Sequence, residues 1–194
     1  MAGRPHRIAV FASGSGTNAE RIFGFFKDHP AIEISLLLSN RPDAYALVRA
    51  EKAGIPARIF TREEFQSGAV LEILQSANIT HLVLAGFLWL MPEAIVHAYA
   101  GRIINIHPAL LPAFGGKGMY GMRVHEAVKA SGALTTGITI HEVNEQYDEG
   151  NILLQAECPV TEADTPEAIA AKVHELEYRH YPSAIEQWIA GAKH

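Results

Sequence analysis

Cysteine is nearly absent from the chain. Cys158 is the one cysteine among 194 residues, so an internal disulfide bond is excluded. Its neighbours Glu157 and Pro159 supply neither a base nor a cation that would activate the thiol. We therefore expect a reducing compartment and an inert, buried thiol.

Long apolar runs are missing as well. No stretch reaches the roughly 18 consecutive apolar residues that a membrane-spanning helix requires. The N-terminal apolar run stops at Ala12, before a glycine-containing turn, and this favours a first β-strand over a signal peptide. We expect a cytoplasmic protein that does not contact membranes.

Basic blocks and metal-binding spacings are also lacking. The chain has 16 Lys and Arg against 21 Asp and Glu, a net charge of −5, so electrostatic capture of nucleic acid is not indicated. Its 10 histidines form no H-E-x-x-H motif and no paired Cys/His spacing, so we expect no metal site. A small basic pocket for a phosphate is compatible with this composition.

Apolar runs alternate with helical patterns along the chain. At 194 residues the sequence fits one domain, 1–194, since about 100–200 residues per domain is usual. The predicted fold is α/β: a doubly wound, mostly parallel, Rossmann-like sheet with a C-terminal antiparallel hairpin. The predicted strands are 7–12, 32–38, 57–60, 81–85, 102–107, 134–143 and 151–160. The predicted helices are 19–27, 43–53, 62–77, 92–99, 122–130 and a last helix from Thr165, in two parts around Pro182.

The first strand leads into a glycine turn and then into a helix. Strand, glycine turn and helix N-terminus in this order make an anion site, because backbone N–H groups approach an oxygen closely there. Gly14, Gly16 and Ala19 also match the dinucleotide pattern G-x-G-x-x-A. The predicted strand 32–38 is not followed by the Asp or Glu that binds the ribose of NAD, which disfavours NAD. Arg41, however, suits the 2′-phosphate of NADP. An ordinary two-glycine turn is the structural alternative.

The candidate reaction centre is the stretch 102–112. Asn105 and His107 share one face of a strand, and Pro108 ends that strand. Ligands of open α/β sheets bind at the carboxyl ends of strands. An amide there can hold an oxyanion, and an imidazole can transfer a proton near neutral pH. From these two residues alone a purely structural role is the favoured interpretation, and the neighbouring stretches change that weighting.

Taken together, four stretches resemble the phosphoribosylglycinamide formyltransferases of purine synthesis, also called glycinamide ribonucleotide transformylases. The stretches are Ser13–Asn18, Ala85–Phe87, Asn105–Pro112 and the hairpin His141–Gly150. The resemblance covers essentially the whole chain, and Asn-Ile-His-Pro-Ala-Leu-Leu-Pro is a highly specific string. It implies a formyltransferase fold whose N-terminal half binds nucleotide and phosphate and whose C-terminal half binds folate.

The resemblance also implies a reaction and its residues. The formyl group of 10-formyltetrahydrofolate, the co-substrate, passes to the amine of N1-(5-phospho-D-ribosyl)glycinamide in de novo purine (IMP) biosynthesis, without a metal. The implied catalytic residues are Asn105, His107 and Asp148, and Asp148 close to His107 would favour the imidazolium. The residues implied for the ribonucleotide phosphate are Gly16, Thr17, Asn18, Ala19, Glu20, His174 and Glu177. The residues implied for the folate are Arg62, Leu88, Trp89, Leu90, Met91, Asn105, Asn144, Glu145, Gln146, Tyr147 and Asp148.

One departure and several alternatives accompany this resemblance. The loop 115–123 is longer and richer in glycine than in the short form of the family, and His125 lies just beyond it. Among sister activities, methionyl-tRNA formyltransferases and formyltetrahydrofolate deformylases carry additional domains for which 194 residues leave no room. Sugar-nucleotide formyltransferases, a catalytically inactive homologue and a non-catalytic NADP-type binder stay open. We expect a monomer or homodimer.

Overall fold

The computed structural model describes residues 5–191. These residues form two compact units, divided between Ile104 and Asn105. The prediction of one domain stays a prediction. Within the described residues, no helix has both the length and the apolar character needed to cross a membrane.

From residue 5 onward, the first unit contains four strands and five helices, and a fifth strand begins there. The strands are β1 (His6–Phe11), β2 (Ile32–Ser39), β3 (Ala57–Ile59) and β4 (His81–Leu84), with β5 (Ile103–His107) crossing the division between the units. The helices are α1 (Thr17–Phe26), α2 (Tyr45–Lys52), α3 (Arg62–Ser67), α4 (Ala69–Ser76) and α5 (Glu93–Ala98).

The order of strands in the first unit is β3-β2-β1-β4-β5. The pairs β1–β2, β1–β4 and β2–β3 are parallel. The chain builds outward from β1 to one side and then returns to its other side, which makes a doubly wound sheet with a switch point between β1 and β4. The loops after these two strands meet there, since the Ser13 N–H donates to the Gly86 carbonyl over 3.0 Å.

In the second unit the strand order is β5, β6 (Thr135–Glu142) and β7 (Ile152–Pro159). Strands β6 and β7 pair antiparallel, which confirms the predicted hairpin. Helix α6 (Met122–Ser131) packs against α7 (Pro166–Gly191), and α7 also contacts both strands of the hairpin. The predicted α/β fold is therefore confirmed.

Continuous apolar runs fill the interior of each unit. In the first, Ile8, Val10, Leu37 and Leu82 are fully buried, as expected for parallel strands covered on both faces. Burying each such side chain stabilises the fold by about 1.5–3 kcal/mol. The second unit buries Val124, Val128, Ile138, Ile140, Val173 and Ile185.

Two helices differ from the prediction. The predicted helix 62–77 is broken at Gly68, whose φ of 94° ends α3 in a left-handed conformation that glycine adopts at little cost. The last helix is continuous through Pro182 and not in two parts. Tyr181, Pro182 and Ile185 are all buried, and this packing offsets the hydrogen bond that proline removes.

Candidate active site

Three polar side chains from two segments of the second unit converge. Strand β5 presents Asn105 and His107, and the turn between β6 and β7 presents Asp148. The Asp148 Oδ2 atom lies 3.5 Å from the His107 Nδ1 atom. The His107 side chain is 4% exposed and the Asp148 side chain 11% exposed, so their interaction is only weakly screened by water. Their catalytic roles stay predictions.

Burial and charge act in opposite directions on these two groups. Burial lowers the pKa of His107 below its ordinary value and outweighs the neighbouring Asp148 carboxylate and Phe114 carbonyl, which raise it. Burial would raise the pKa of Asp148, but His141, His107 and the Gly116 N–H together hold it below its ordinary value. Near neutral pH the carboxylate is therefore ionised, and the imidazole is mostly neutral in this arrangement.

The glycine-rich loop contacts both members of the pair. The His107 Nε2 atom lies 2.8 Å from the Phe114 carbonyl oxygen, and a carbonyl only accepts, so Nε2 carries a proton. The Gly116 N–H donates to Asp148 Oδ2 over 2.9 Å. Sequence reasoning missed both contacts. They are made by backbone atoms, which almost every residue type has, so the sequence of the loop does not indicate them.

Sequence reasoning also gave no role to His141, although it lies inside the hairpin that carries the resemblance. Its Nε2 atom is 3.1 Å from the Asn105 Nδ2 atom and 3.6 Å from the Asp148 Oδ1 atom. The alternation of β6 was the one available signal, since it places His141 on a strand that leads into the turn of Asp148.

The predicted phosphate loop lies at the switch point of the first unit. Gly16 precedes α1 with a φ of 72°. A Cβ atom on Gly16 would lie 2.6 Å from the Cα and Cβ atoms of Ala46, so only glycine fits. The loop thus leads directly into the N-terminus of a ten-residue helix, where backbone N–H groups favour an anion.

The other residues of this predicted site differ in availability. Thr17 and Asn18 are half-buried in the first turn of α1, whereas the Ala19 side chain is fully buried in the core. The Glu20 carboxylate pairs with the Arg49 guanidinium over 2.5 Å. Arg49 also donates from Nε to the Ser15 carbonyl over 2.9 Å, so a cation joins the loop. It neutralises a carboxylate that would otherwise repel a phosphate.

Arg41 was the residue that kept an NADP site open. Its guanidinium forms a bidentate ion pair with Asp43, with distances of 3.1 Å from Nε to Oδ1 and 2.8 Å from Nη2 to Oδ2. A 2′-phosphate would have to displace this carboxylate, and the observation therefore disfavours an NADP site.

The segment after β4 that was predicted to bind folate lies partly in the hydrophobic core. Phe87 and Trp89 belong to a cluster of aromatic rings with Phe11, Phe60 and Phe65. Met91 is 3% exposed, whereas Leu88 and Leu90 are each 38% exposed. The Arg62 guanidinium lies 5.2 Å from the centre of the Trp89 ring, a cation–π contact.

The remaining predicted residues lie in the second unit. In the turn 144–148, the Asn144 Oδ1 atom accepts from the Gln146 N–H over 2.9 Å, and Asp148 adopts a φ of 56°. On α7, His174 is exposed and Glu177 is buried. The His174 ring stacks on Tyr178 at 6.1 Å and lies 6.4 Å from the buried His125 ring. Among residues 5–191, no cluster of His, Cys, Asp or Glu is suited to holding a metal ion.

Comparison with known proteins defines the class. Residues 6–185 match the model of the formyl transferase family. The chain therefore belongs to that family.

The relatives narrow the class to one kind of enzyme. The chain is 40% identical over 189 residues to the chloroplastic phosphoribosylglycinamide formyltransferase of Arabidopsis thaliana, covering 94% of this chain and 65% of the relative. It is 38% identical to the phosphoribosylglycinamide formyltransferase of Haemophilus influenzae, covering 95% of this chain and 88% of the relative. The crystal structure of glycinamide ribonucleotide transformylase 1 from Symbiobacterium toebii superposes with a TM-score of 0.89 at 35% identity, covering 97% of this chain and 90% of that one. The chain thus spans less than two thirds of the plant relative and most of each bacterial one.

Proposed function

We propose that the protein is a phosphoribosylglycinamide formyltransferase. It transfers the formyl group of 10-formyltetrahydrofolate to the amine of N1-(5-phospho-D-ribosyl)glycinamide in purine biosynthesis. The observation that carries the proposal is the convergence of Asn105 and Asp148 with the buried His107 in a member of the formyl transferase family. The relatives of that name match along nearly the whole chain.

The chemistry needs the groups that converge here. The substrate amine attacks the formyl carbon, the new C–N bond forms, and the formyl oxygen becomes an oxyanion. The Asn105 amide donates to this oxyanion, and a protonated His107 stabilises it. When the intermediate collapses, its bond to N10 of the folate breaks, N10 gains a proton, and the attacking amine loses one.

Asp148 prepares His107 for this proton transfer. Its ionised carboxylate, 3.5 Å from Nδ1, raises the affinity of the buried ring for a proton. The ring accepts the proton that the amine loses and returns it to N10, directly or through a water. Overall the reaction neither takes up nor releases a proton, so one shared proton is enough.

The two substrates meet different parts of the chain. The phosphate of the ribonucleotide is held by Gly16, Thr17 and Asn18 at the start of α1. Glu20 lies nearby, and the Arg49 guanidinium compensates the negative charge of its carboxylate. His174 and Glu177 complete the ribonucleotide site. Arg62 and the segment 88–91 hold the folate, together with the turn 144–148. Localisation in the cytoplasm and a monomeric or dimeric state stay predictions.

Four measurements on the purified protein separate the alternatives. Mass spectrometry of the ribonucleotide after incubation with 10-formyltetrahydrofolate detects the formylated product, and formate release without an acceptor detects a deformylase. Replacing the ribonucleotide by an amino-sugar nucleotide detects a sugar-nucleotide enzyme. Titration of NADPH fluorescence detects a nicotinamide binder. We expect product in the first measurement alone, and formate release or NADPH binding without formyl transfer would overturn the proposal.

A further inference from the structure

The Ser13 side chain is buried at the switch point of the first unit and has no role in the proposed chemistry. The residue is 3% exposed. It lies after β1, immediately before the glycine turn that leads into α1. A buried hydroxyl is costly unless it makes hydrogen bonds, so its partners indicate what it does.

The Ser13 hydroxyl joins the loops that follow three neighbouring strands. Its O–H donates to the Asn40 Oδ1 atom over 2.7 Å, and Asn40 directly follows β2. The Leu88 N–H, in the loop after β4, donates to the Ser13 Oγ atom over 3.1 Å. A backbone N–H only donates, so the hydroxyl accepts from Leu88 and keeps its own hydrogen for Asn40. The result is a continuous chain of hydrogen bonds from the loop after β4 to the loop after β2.

The segment 87–91 has few other contacts that hold its backbone. It belongs to no helix or strand. Within the described residues, the Leu88 N–H makes the one hydrogen bond that joins the backbone of this segment to other residues. The rings of Phe87 and Trp89 pack in the aromatic cluster, whereas Leu88 is 38% exposed. The bond to Ser13 therefore fixes the part of the segment that packing does not.

The backbone around Ser13 is held independently of its hydroxyl. The Ser13 N–H donates to the Gly86 carbonyl over 3.0 Å, and the Gly14 carbonyl accepts from the Ala46 N–H of α2 over 3.1 Å. Removing the hydroxyl leaves both contacts in place. The glycine turn should therefore keep its conformation without the hydroxyl, while Leu88 loses its hydrogen-bond acceptor.

We propose that Ser13 is a positioning residue that places the segment 88–91 for the folate. The inference rests on the proposed function, because that function assigns this segment to the folate. The hydroxyl acts through the Leu88 N–H and not by contact with a substrate. A segment that is already fixed loses less conformational entropy when its ligand binds. Loss of the bond should therefore weaken folate binding and leave ribonucleotide binding nearly unchanged.

Steady-state kinetics of Ser13→Ala test this difference between the two substrates. We expect KM for 10-formyltetrahydrofolate to rise by about 3–10-fold, the effect of one lost hydrogen bond, and KM for the ribonucleotide to change by less than about twofold. Ser35→Ala is the matched control and should change neither KM. Ser35 is 8% exposed, and its Oγ–H donates to the Glu33 Oε1 atom of the same strand over 2.9 Å. Equal rises in both KM values of Ser13→Ala, or an unchanged folate KM, would overturn the inference.

Asn40 tests the chain of hydrogen bonds behind this contact. Asn40→Ala removes the acceptor of the Ser13 O–H, but Oγ can still accept from Leu88. We expect a smaller rise in the folate KM, about twofold, and a double variant that matches Ser13→Ala, because Asn40 acts only through the hydroxyl. Additive rises, or an unchanged folate KM in Asn40→Ala, would overturn the inference. Asn40 is half-buried, so this variant also provides the test if Ser13→Ala does not fold.

Two measurements without turnover separate this inference from the proposed function. Hydrogen exchange followed by NMR reports on the Leu88 N–H directly, and its protection should drop by about tenfold or more in Ser13→Ala and stay unchanged in Ser35→Ala. Titration of tryptophan fluorescence with tetrahydrofolate gives a Kd that should rise together with the folate KM. Unchanged protection of Leu88, or an unchanged Kd, would overturn the inference. A wild-type protein that protects Leu88 and binds tetrahydrofolate but transfers no formyl group would count against the proposed function alone, and one that binds no tetrahydrofolate would overturn both.

Discussion

At the scale of single residues, substitution of Asp148 is predicted to have a large effect on turnover. Asp148→Asn keeps the size of the side chain but removes the charge that favours protonation of His107. We expect kcat to fall by about 10²–10⁴, the range of general acid–base catalysis, with the fold retained. Steady-state kinetics and circular dichroism measure the two. Glu162→Gln, an exposed change of the same chemical kind, is the control and should leave kcat unchanged.

His107 gives an independent test of the same pair. His107→Ala removes the proton carrier and the contact to the Phe114 carbonyl, so kcat should again fall by about 10²–10⁴. The double variant with Asp148→Asn should lose little more than either single one, because the two side chains act as a unit. Near-normal turnover in either single variant would contradict the assigned roles.

His125 makes the stability of the fold depend on pH. The side chain is 2% exposed, and its Nδ1 atom has no hydrogen-bond partner within the described part of the chain. Burial, with help from His174 and His107, lowers its pKa from 6.5 to about 4. The unfolded chain therefore takes up this proton first, so stability is fully present above pH 6.5 and is lost as pH falls toward pH 4.

The size of this effect follows from the two pKa values. Between about pH 7 and about pH 5 the free energy of unfolding should drop by about 2 kcal/mol through His125 alone. Urea unfolding at both pH values measures this drop. His125→Leu removes the titrating group and the buried polar atom, so its drop should be smaller by that amount. An equal drop in the variant would contradict this account.

At the scale of elements, the turn before α1 depends on one glycine. Gly16 combines a φ of 72° with close approach to the α2 backbone at Ala46. Gly16→Ala should lower the free energy of unfolding by about 1–3 kcal/mol and raise KM for the ribonucleotide, because the start of α1 must shift. Gly14→Ala is the matched control, since a Cβ atom there meets nothing within 4 Å. Equal losses in urea unfolding would show that the close approach at Gly16 is not the cause.

The strands and most helices could be predicted from apolar runs and turn residues. A continuous apolar run bounded by turn residues is typical of a buried parallel strand. The break at Gly68 and the continuity through Pro182 could not. The first depends on a left-handed φ at one of many glycines, and the second on packing around Tyr181. Local sequence records neither of these.

The candidate site was predictable to different depths. Alternation alone placed Asn105 and His107 side by side, whereas Asp148 entered through the resemblance, since 40 residues separate it from His107 along the chain. The contacts of His141 with Asn105 and Asp148 depend on how separate segments come together, and only coordinates reveal them. The contacts of Phe114 with His107 and of Gly116 with Asp148 are likewise made by the backbone.

At the scale of the whole molecule, the net charge bears on whether the protein binds nucleic acid. With 16 basic and 21 acidic residues the net charge is −5, which disfavours non-specific capture of phosphate backbones, and the absence of a nucleic-acid partner stays a prediction. Fluorescence anisotropy of a labelled DNA duplex at low salt should show no binding at micromolar protein. A salt-dependent rise in anisotropy would contradict this expectation.

The whole molecule is also the level at which direct transfer is tested. The protein is incubated with 10-formyltetrahydrofolate labelled with ¹³C in the formyl group, together with N1-(5-phospho-D-ribosyl)glycinamide, and mass spectrometry follows the label. We predict that the label passes to the ribonucleotide amine without appearing as free formate, and that Asp148→Asn slows this transfer by orders of magnitude. Label that stays on the folate, or that appears only as formate, would contradict the account.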